Sequence, residues 1–200
     1  MRKLLIATRN PGKAREIAGV LSDLPFRFAS LLDYPDAPEI EETGATFTEN
    51  AVLKARAYAA CTGELTLADD SGLEVDALGG APGVLSSRFA PTDPERIAKL
   101  IDLMKEIPDD GRSARFRCAI AVAWPDGRVE TCEGSLEGVI AREPRGTNGF
   151  GYDPVLYLPE LGKHVAELSP SEKNAISHRG KALVKAKELL SAVVANNAIM

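Results

Sequence analysis

Residues 114–124, ARFRCAIAVAW, with the turn Pro125-Asp126-Gly127 and the run from Arg128 to Ile140, decide the fold class. The first half of the stretch alternates, Arg115 and Arg117 against Ala114, Phe116 and Cys118. The second half is wholly apolar. That pattern predicts a long strand, and the Pro-Asp-Gly turn folds it into a hairpin with 128–140. Working back from the hairpin, helices alternate with strands. A short buried strand is predicted at 3–8. Asn10 and Pro11 then suit an N-cap and first helical residue, opening a helix to about 22. A strand follows at 26–31 and an acidic, Pro-containing loop at 32–45. Thr46-x-x-Glu49 reads as a capping box for a helix to about 61, which Gly63 ends. Residues 65–69 form a strand and 73–78 a second. Thr92-x-x-Glu95 opens a helix through Met104. Beyond the hairpin lie a Gly-rich loop at 144–153, a short helix capped by Ser169-x-x-Glu172, and a last helix at 178–195. Alternating elements plus an antiparallel hairpin predict an α/β protein with a mixed sheet flanked by helices, one domain spanning 1–200.

Composition narrows the function classes. The chain has 200 residues, 44% hydrophobic and 26% charged, an ordinary globular balance that excludes disordered and fibrous classes. The formal charge of −5 makes it a poor general binder of nucleic acid or anionic membrane. Three separated cysteines, Cys61, Cys118 and Cys132, indicate neither a disulfide framework nor a zinc knuckle and point to a reducing cytoplasm. The apolar run Leu4–Ala7 is too short for a signal peptide or membrane span. The modest net charge hides an asymmetry: residues 28–87 carry eleven acids against Lys54 and Arg56, whereas 160–200 lean basic. Such halves suit a metal-bound polyphosphate, or simply a solvated surface.

Five segments carry candidate chemistry. In Thr8-Arg9-Asn10-Pro11-Gly12-Lys13 a strand turns into a helix, so free backbone N–H groups and Lys13 would favour an anion. It is not a Walker A motif, and plain helix capping explains it as well. Glu41-Glu42-Thr43-Gly44 precedes the second helix; its carboxylates matter only if another acid meets them. In Leu67-Ala68-Asp69-Asp70-Ser71-Gly72, Asp69 and Asp70 face opposite ways if extended, one able to reach a metal and the other to hold the loop. The same residues suit a local turn. In Gly146–Pro154 the glycines let backbone approach a ligand, and Phe150 can stack on a base or anchor the loop. Lys173, Ser177, His178 and Arg179 are a run of donors beside a helix start.

Taken together, ATRNPGK, EETGATFTENAVLKA, LADDSGLEVDALGGAPG, GTNGFGYDP and EKNAISHRG closely resemble the inosine triphosphate pyrophosphatase family, the non-standard purine NTP pyrophosphatases. The resemblance runs from Lys3 to about residue 190. It implies Mg²⁺-dependent hydrolysis of ITP, dITP and XTP to monophosphate and pyrophosphate, clearing deaminated purines from the nucleotide pool. The implied fold is two-lobed around a long mixed sheet, with the site in the cleft between lobes, in a homodimer. Thr8 to Lys13, and Lys54, would hold the phosphates. Glu41 and Asp70 would bind Mg²⁺, with Asp69 close by. Asp70 would accept the proton of the attacking water, and Ser71 would contact substrate. Phe150 would stack on the base, with Gly151, Tyr152, Asp153, Lys173, His178 and Arg179 around it. Three readings compete with this one. They are a Ser-His-Asp hydrolase using Ser71, His178 and Asp70 (which lacks G-x-S-x-G), a pyrimidine-triphosphate pyrophosphatase, and a non-enzymatic nucleotide-binding module.

Overall fold

A computed structural model describes residues 2–197, so Met1 and the last three residues of the expected 1–200 domain lie outside the described residues. The strands are β1 (Arg2–Ile6), β2 (Phe26–Ser30), β3 (Leu65–Val75), β4 (Ser113–Ala123), β5 (Val129–Ile140), β6 (Leu156–Leu158) and β7 (Lys163–His164). The helices are α1 (Pro11–Val20), α2 (Phe47–Thr62), α3 (Asp93–Leu103), α4 (Pro170–Ile176) and α5 (His178–Asn197). The strands hydrogen-bond in the order β2-β1-β3-β4-β5-β6-β7. β1 pairs parallel with β2 and β3, while β5, β6 and β7 pair antiparallel, so the sheet is mixed as predicted.

The caps form where the sequence puts them, because each is a local exchange of side chain for backbone. Thr92 and Glu95 close a reciprocal capping box, as do Ser169 and Glu172. At α2 Thr46 accepts from the Glu49 N–H, but the Glu49 carboxylate reaches back to the Ala45 N–H at 2.7 Å, one residue short of the expected box. Gly63 ends α2 with φ +69°.

One boundary needs correction. The expected break near residues 70–72 is absent, and β3 runs unbroken from Leu65 to Val75 with Asp69, Asp70 and Ser71 inside it. Polar residues there read as a turn. Within the strand each carboxylate instead finds its own partners, so extended backbone is retained.

The chain divides into two compact units. The first comprises Met1–Asp70, Cys118–Gly134 and Arg179–Met200. Its core joins Leu4, Ile6, Ile17, Leu21, Leu65, Leu67, Ile120, Val122, Leu183 and Leu190. The apolar half of the deciding stretch lies here, buried throughout from Cys118 to Trp124. The second unit comprises Ser71–Arg117 and Ser135–His178. Its core is built from Leu73, Val75, Leu100, Met104, Phe116, Leu136, Tyr152, Val155 and Leu156.

Candidate active site

In the first unit, alternation along β3 sends Asp69 and Asp70 to opposite faces, and the two carboxylates acquire different electrostatics. Both are buried, at 2% and 6% exposure. Asp69 meets α1 and α5: Lys13 Nζ lies 2.9 Å from its Oδ2, and Arg179 Nε and Nη2 donate to the same oxygen at 3.3 Å. Arg179 also pairs with Glu16. Burial alone would push the Asp69 carboxyl up, but Lys13, Arg179 and Lys54 outweigh it and hold the group well below the usual carboxylate range. Asp69 is a fixed anion.

Asp70 faces α2. Asn50 Nδ2 donates to its Oδ2 at 3.1 Å, and Lys54 Nζ stands 3.6 Å from its Oδ1. Lys54 also donates to Glu42 Oε1 at 2.6 Å and to the Asp69 carbonyl at 2.7 Å. Burial pushes the Asp70 carboxyl up; Lys54 pulls it back, and the Glu42 charge adds to the rise.

The expected metal-ligating pair is Glu41 with Asp70. Glu41 is exposed, while Glu42 turns inward to Lys54. Among the described residues no three histidine, cysteine or acidic side chains converge on one point. The pair expected from the resemblance, Glu41 and Asp70, would be a sparse set. Such a set does not build an all-protein cage for Zn²⁺ or Ca²⁺. It fits an ion that keeps several waters and takes its remaining oxygens from substrate phosphates, which is the habit of Mg²⁺.

At the start of α1 the expected free N–H groups are occupied. Asn10 Oδ1 accepts from Gly12 N at 2.8 Å and Lys13 N at 3.2 Å, and Thr8 Oγ1 accepts from Asn10 N at 3.1 Å. Pro11, at N1, has no N–H to give. Arg9 is exposed and donates to the Ala37 carbonyl at 2.8 Å. The capping explanation thus holds, alongside whatever ligand the loop takes.

In the second unit the Gly-rich loop closes around a buried ion pair. Lys173 Nζ lies 2.7 Å from Asp153 Oδ2, and the same oxygen accepts from the Phe150 N–H at 2.9 Å. Phe150 is half-buried, and the Lys173 ammonium sits 4.7 Å from its ring centroid. Gly149 has φ +80°, and a Cβ there would collide with Asp153 Oδ2, so the close approach demands glycine. Gly151 N donates to Asp93 Oδ2 at 2.8 Å. Tyr152 is buried, its hydroxyl donating to the Ser86 carbonyl at 3.0 Å, which makes it an anchor for the loop. His178 stacks on Phe116 with centroids 4.8 Å apart. Ser71, inside β3, is half-buried. Lys173, Asp153 and Phe150 are thus one group, whereas Arg179 belongs to the first unit with Asp69 and Glu16.

Sequence reasoning missed Asn50 and Glu16. Helical spacing was the available signal: Asn50 precedes Lys54 by four residues, and Glu16 follows Lys13 by three.

The first unit thus carries two differently tuned carboxylates beside lysines on β3, and the second a Gly-rich loop with an aromatic ring over a lysine. Comparison with known proteins defines the class: the profile of the Ham1 family matches residues 4–189, and the chain belongs to that family. It is 55% identical to a dITP/XTP pyrophosphatase of Desulforamulus reducens, over 94% of this chain and 96% of that protein. It is 52% identical to a dITP/XTP pyrophosphatase of Geobacillus kaustophilus, over 97% of each. The solved structure of a HAM1 protein from Coxiella burnetii superposes with a TM-score of 0.88 at 47% identity, covering 96% of this chain and all of that one.

Proposed function

We propose that residues 1–200 act as one cytoplasmic enzyme domain, a Mg²⁺-dependent pyrophosphohydrolase that cleaves ITP, dITP and XTP to the monophosphate and pyrophosphate. The observation that carries it is the buried Asp70 carboxylate, pushed up by burial and held between Asn50 and Lys54. Relatives named dITP/XTP pyrophosphatases support the substrate class. No helix among the described residues is long and apolar enough to cross a membrane.

Phosphoanhydride hydrolysis requires charge neutralisation and an oriented water rather than a covalent nucleophile. Lys13 and Lys54 neutralise phosphate charge, with Thr8 to Gly12 shaping the turn beneath it. Glu41 and Asp70 would hold Mg²⁺, which when bound neutralises phosphate oxygens. Asp70 accepts the proton of the attacking water. Phe150 stacks on the base, which tolerates any base because each has a π-face. Lys173 and His178 supply donors for the 6-oxygen of hypoxanthine or xanthine; adenine presents an amino donor there instead.

The test is pyrophosphate release across a triphosphate panel. ITP should be preferred to ATP by about 5–150-fold per donor left facing a donor. In ¹⁸O water the label should enter the monophosphate; label in pyrophosphate, or orthophosphate as primary product, rejects the reaction.

The family resemblance also proposes a homodimer. Exposed Leu32 and Leu53 give the first unit apolar surface, and Leu85 and Leu103 the second. Sedimentation at micromolar concentration is expected to give twice the monomer mass, and a monomer throughout that range refutes it.

A further inference from the structure

Asn50 is fully buried, one of few uncharged polar side chains so placed. It stands on the α2 face that also buries Ala51, Ala55, Tyr58 and Ala59. A primary amide in that position costs stability unless both its ends are bonded. Both are. Its Oδ1 accepts from the Gly44 N–H at 2.7 Å, and its Nδ2 donates to Asp70 Oδ2 at 3.1 Å. A backbone N–H can only donate, so the Gly44 contact fixes which end of the amide is oxygen and leaves the NH₂ end for Asp70. Asn50 also lies one helical turn before Lys54, which approaches the other Asp70 oxygen. The approach of the Glu41–Gly44 loop is equally tight: a Cβ on Gly44 would stand 2.7 Å from Asn50 Oδ1 and 2.7 Å from Glu49 Cβ.

We propose that Asn50 is a positioning residue for the hydrolytic reaction: its amide holds Asp70 Oδ2, fixing the carboxylate plane so that Oδ1 is presented to Lys54 and the reacting groups, while its other end ties the Glu41–Gly44 loop to the same point. This rests on the proposed role of Asp70. One amide thus couples the rotamer of the base to the loop carrying the Glu41-Glu42 pair. No proton is transferred by Asn50.

Two substitutions separate this role from a purely structural one. Asn50→Leu removes both bonds. Asn50→Asp keeps an oxygen for the Gly44 N–H but sets a second carboxyl against Asp70, and two buried carboxyls so close share one proton, so the loop tie survives while Asp70 loses its neutral donor and its freedom to accept a proton. Steady-state turnover of ITP is measured at saturating Mg²⁺, with thermal melting of each variant and Asp70→Asn as reference. Misplacing a catalytic group by about 1 Å costs on the order of 10²-fold, so both variants should lose at least about 10-fold in kcat with KM for ITP within about threefold. Asn50→Asp should do so with part of the loss recovered as pH rises and the shared proton leaves, a dependence that a purely structural role would not give. A folded Asn50→Asp that keeps kcat within 10-fold of wild type overturns the proposal, whether or not Asn50→Leu folds; so does a loss carried by KM alone. Wild-type protein inactive on ITP, or an active Asp70→Asn, would instead overturn the function assigned to the site.

Discussion

Replacing Asp70 with Asn should lower kcat for ITP by at least roughly 10²-fold, because on the proposed mechanism one substitution removes a metal-holding oxygen and the proton acceptor together. The side chain is isosteric and sits at a buried position between Asn50 and Lys54, so the fold is expected to survive. The matching treatment of wild-type protein is removal of divalent cations with EDTA, which should abolish pyrophosphate release, and addition of Mg²⁺, which should restore it. A near-normal kcat in Asp70→Asn, or full activity in EDTA, contradicts the assignment. The neighbouring Asp69 supplies a contrast. Held low by Lys13 and Arg179 after burial is overcome, it is paired structurally, and its loss should register first in stability.

The second large effect is expected at Lys173. The pair with Asp153 is 2.7 Å long, and both residues are about as buried as the core around them, at 5% and 3% exposure. Lys173→Met leaves a buried carboxylate without its ammonium, which costs about 3–5 kcal/mol. In a chain of this length each kcal/mol shifts the melting temperature by about 2–4 °C, so a drop of roughly 10 °C is expected by differential scanning calorimetry. Adding Asp153→Leu removes the stranded charge and should recover much of the loss. A single variant melting within about 2 °C of wild type would show that the pair carries little. The same Lys173→Met protein, assayed below its transition, should lose more kcat/KM for ITP than for ATP, narrowing their ratio. An unchanged ratio places base selectivity elsewhere.

What the sequence disclosed followed the range of the interactions. The caps at Asn10, Thr92 and Ser169 and the stop at Gly63 were legible because donor and acceptor lie within four residues. The deciding hairpin was legible because alternation and its loss report burial directly. β6 and β7, three and two residues long, carry too few positions for any period to show. The false break in β3 had a different cause. Asp69-Asp70-Ser71-Gly72 has turn composition, and only partners far along the chain make it a strand. Arg179, 110 residues from Asp69, is one such partner, and no local pattern announces it. For the same reason Arg179 was grouped with His178 and Lys173, its neighbours in sequence, rather than with Glu16. The opposite facing of Asp69 and Asp70, by contrast, followed from strand geometry alone.

The capped turn at Asn10 has a consequence for ligand capture. Its amide oxygen already occupies the Gly12 and Lys13 N–H groups, so the loop is pre-shaped by a neutral acceptor of its own. A phosphate oxygen that takes those donors does so by exchange, one acceptor leaving as another arrives, and the number of hydrogen bonds hardly changes. What the newcomer adds is its charge, set against Lys13 and the positive end of α1. On the proposed phosphate-binding role, selection at this turn would be made on ionic character rather than on bond count, and polar but uncharged molecules would gain nothing by entering it.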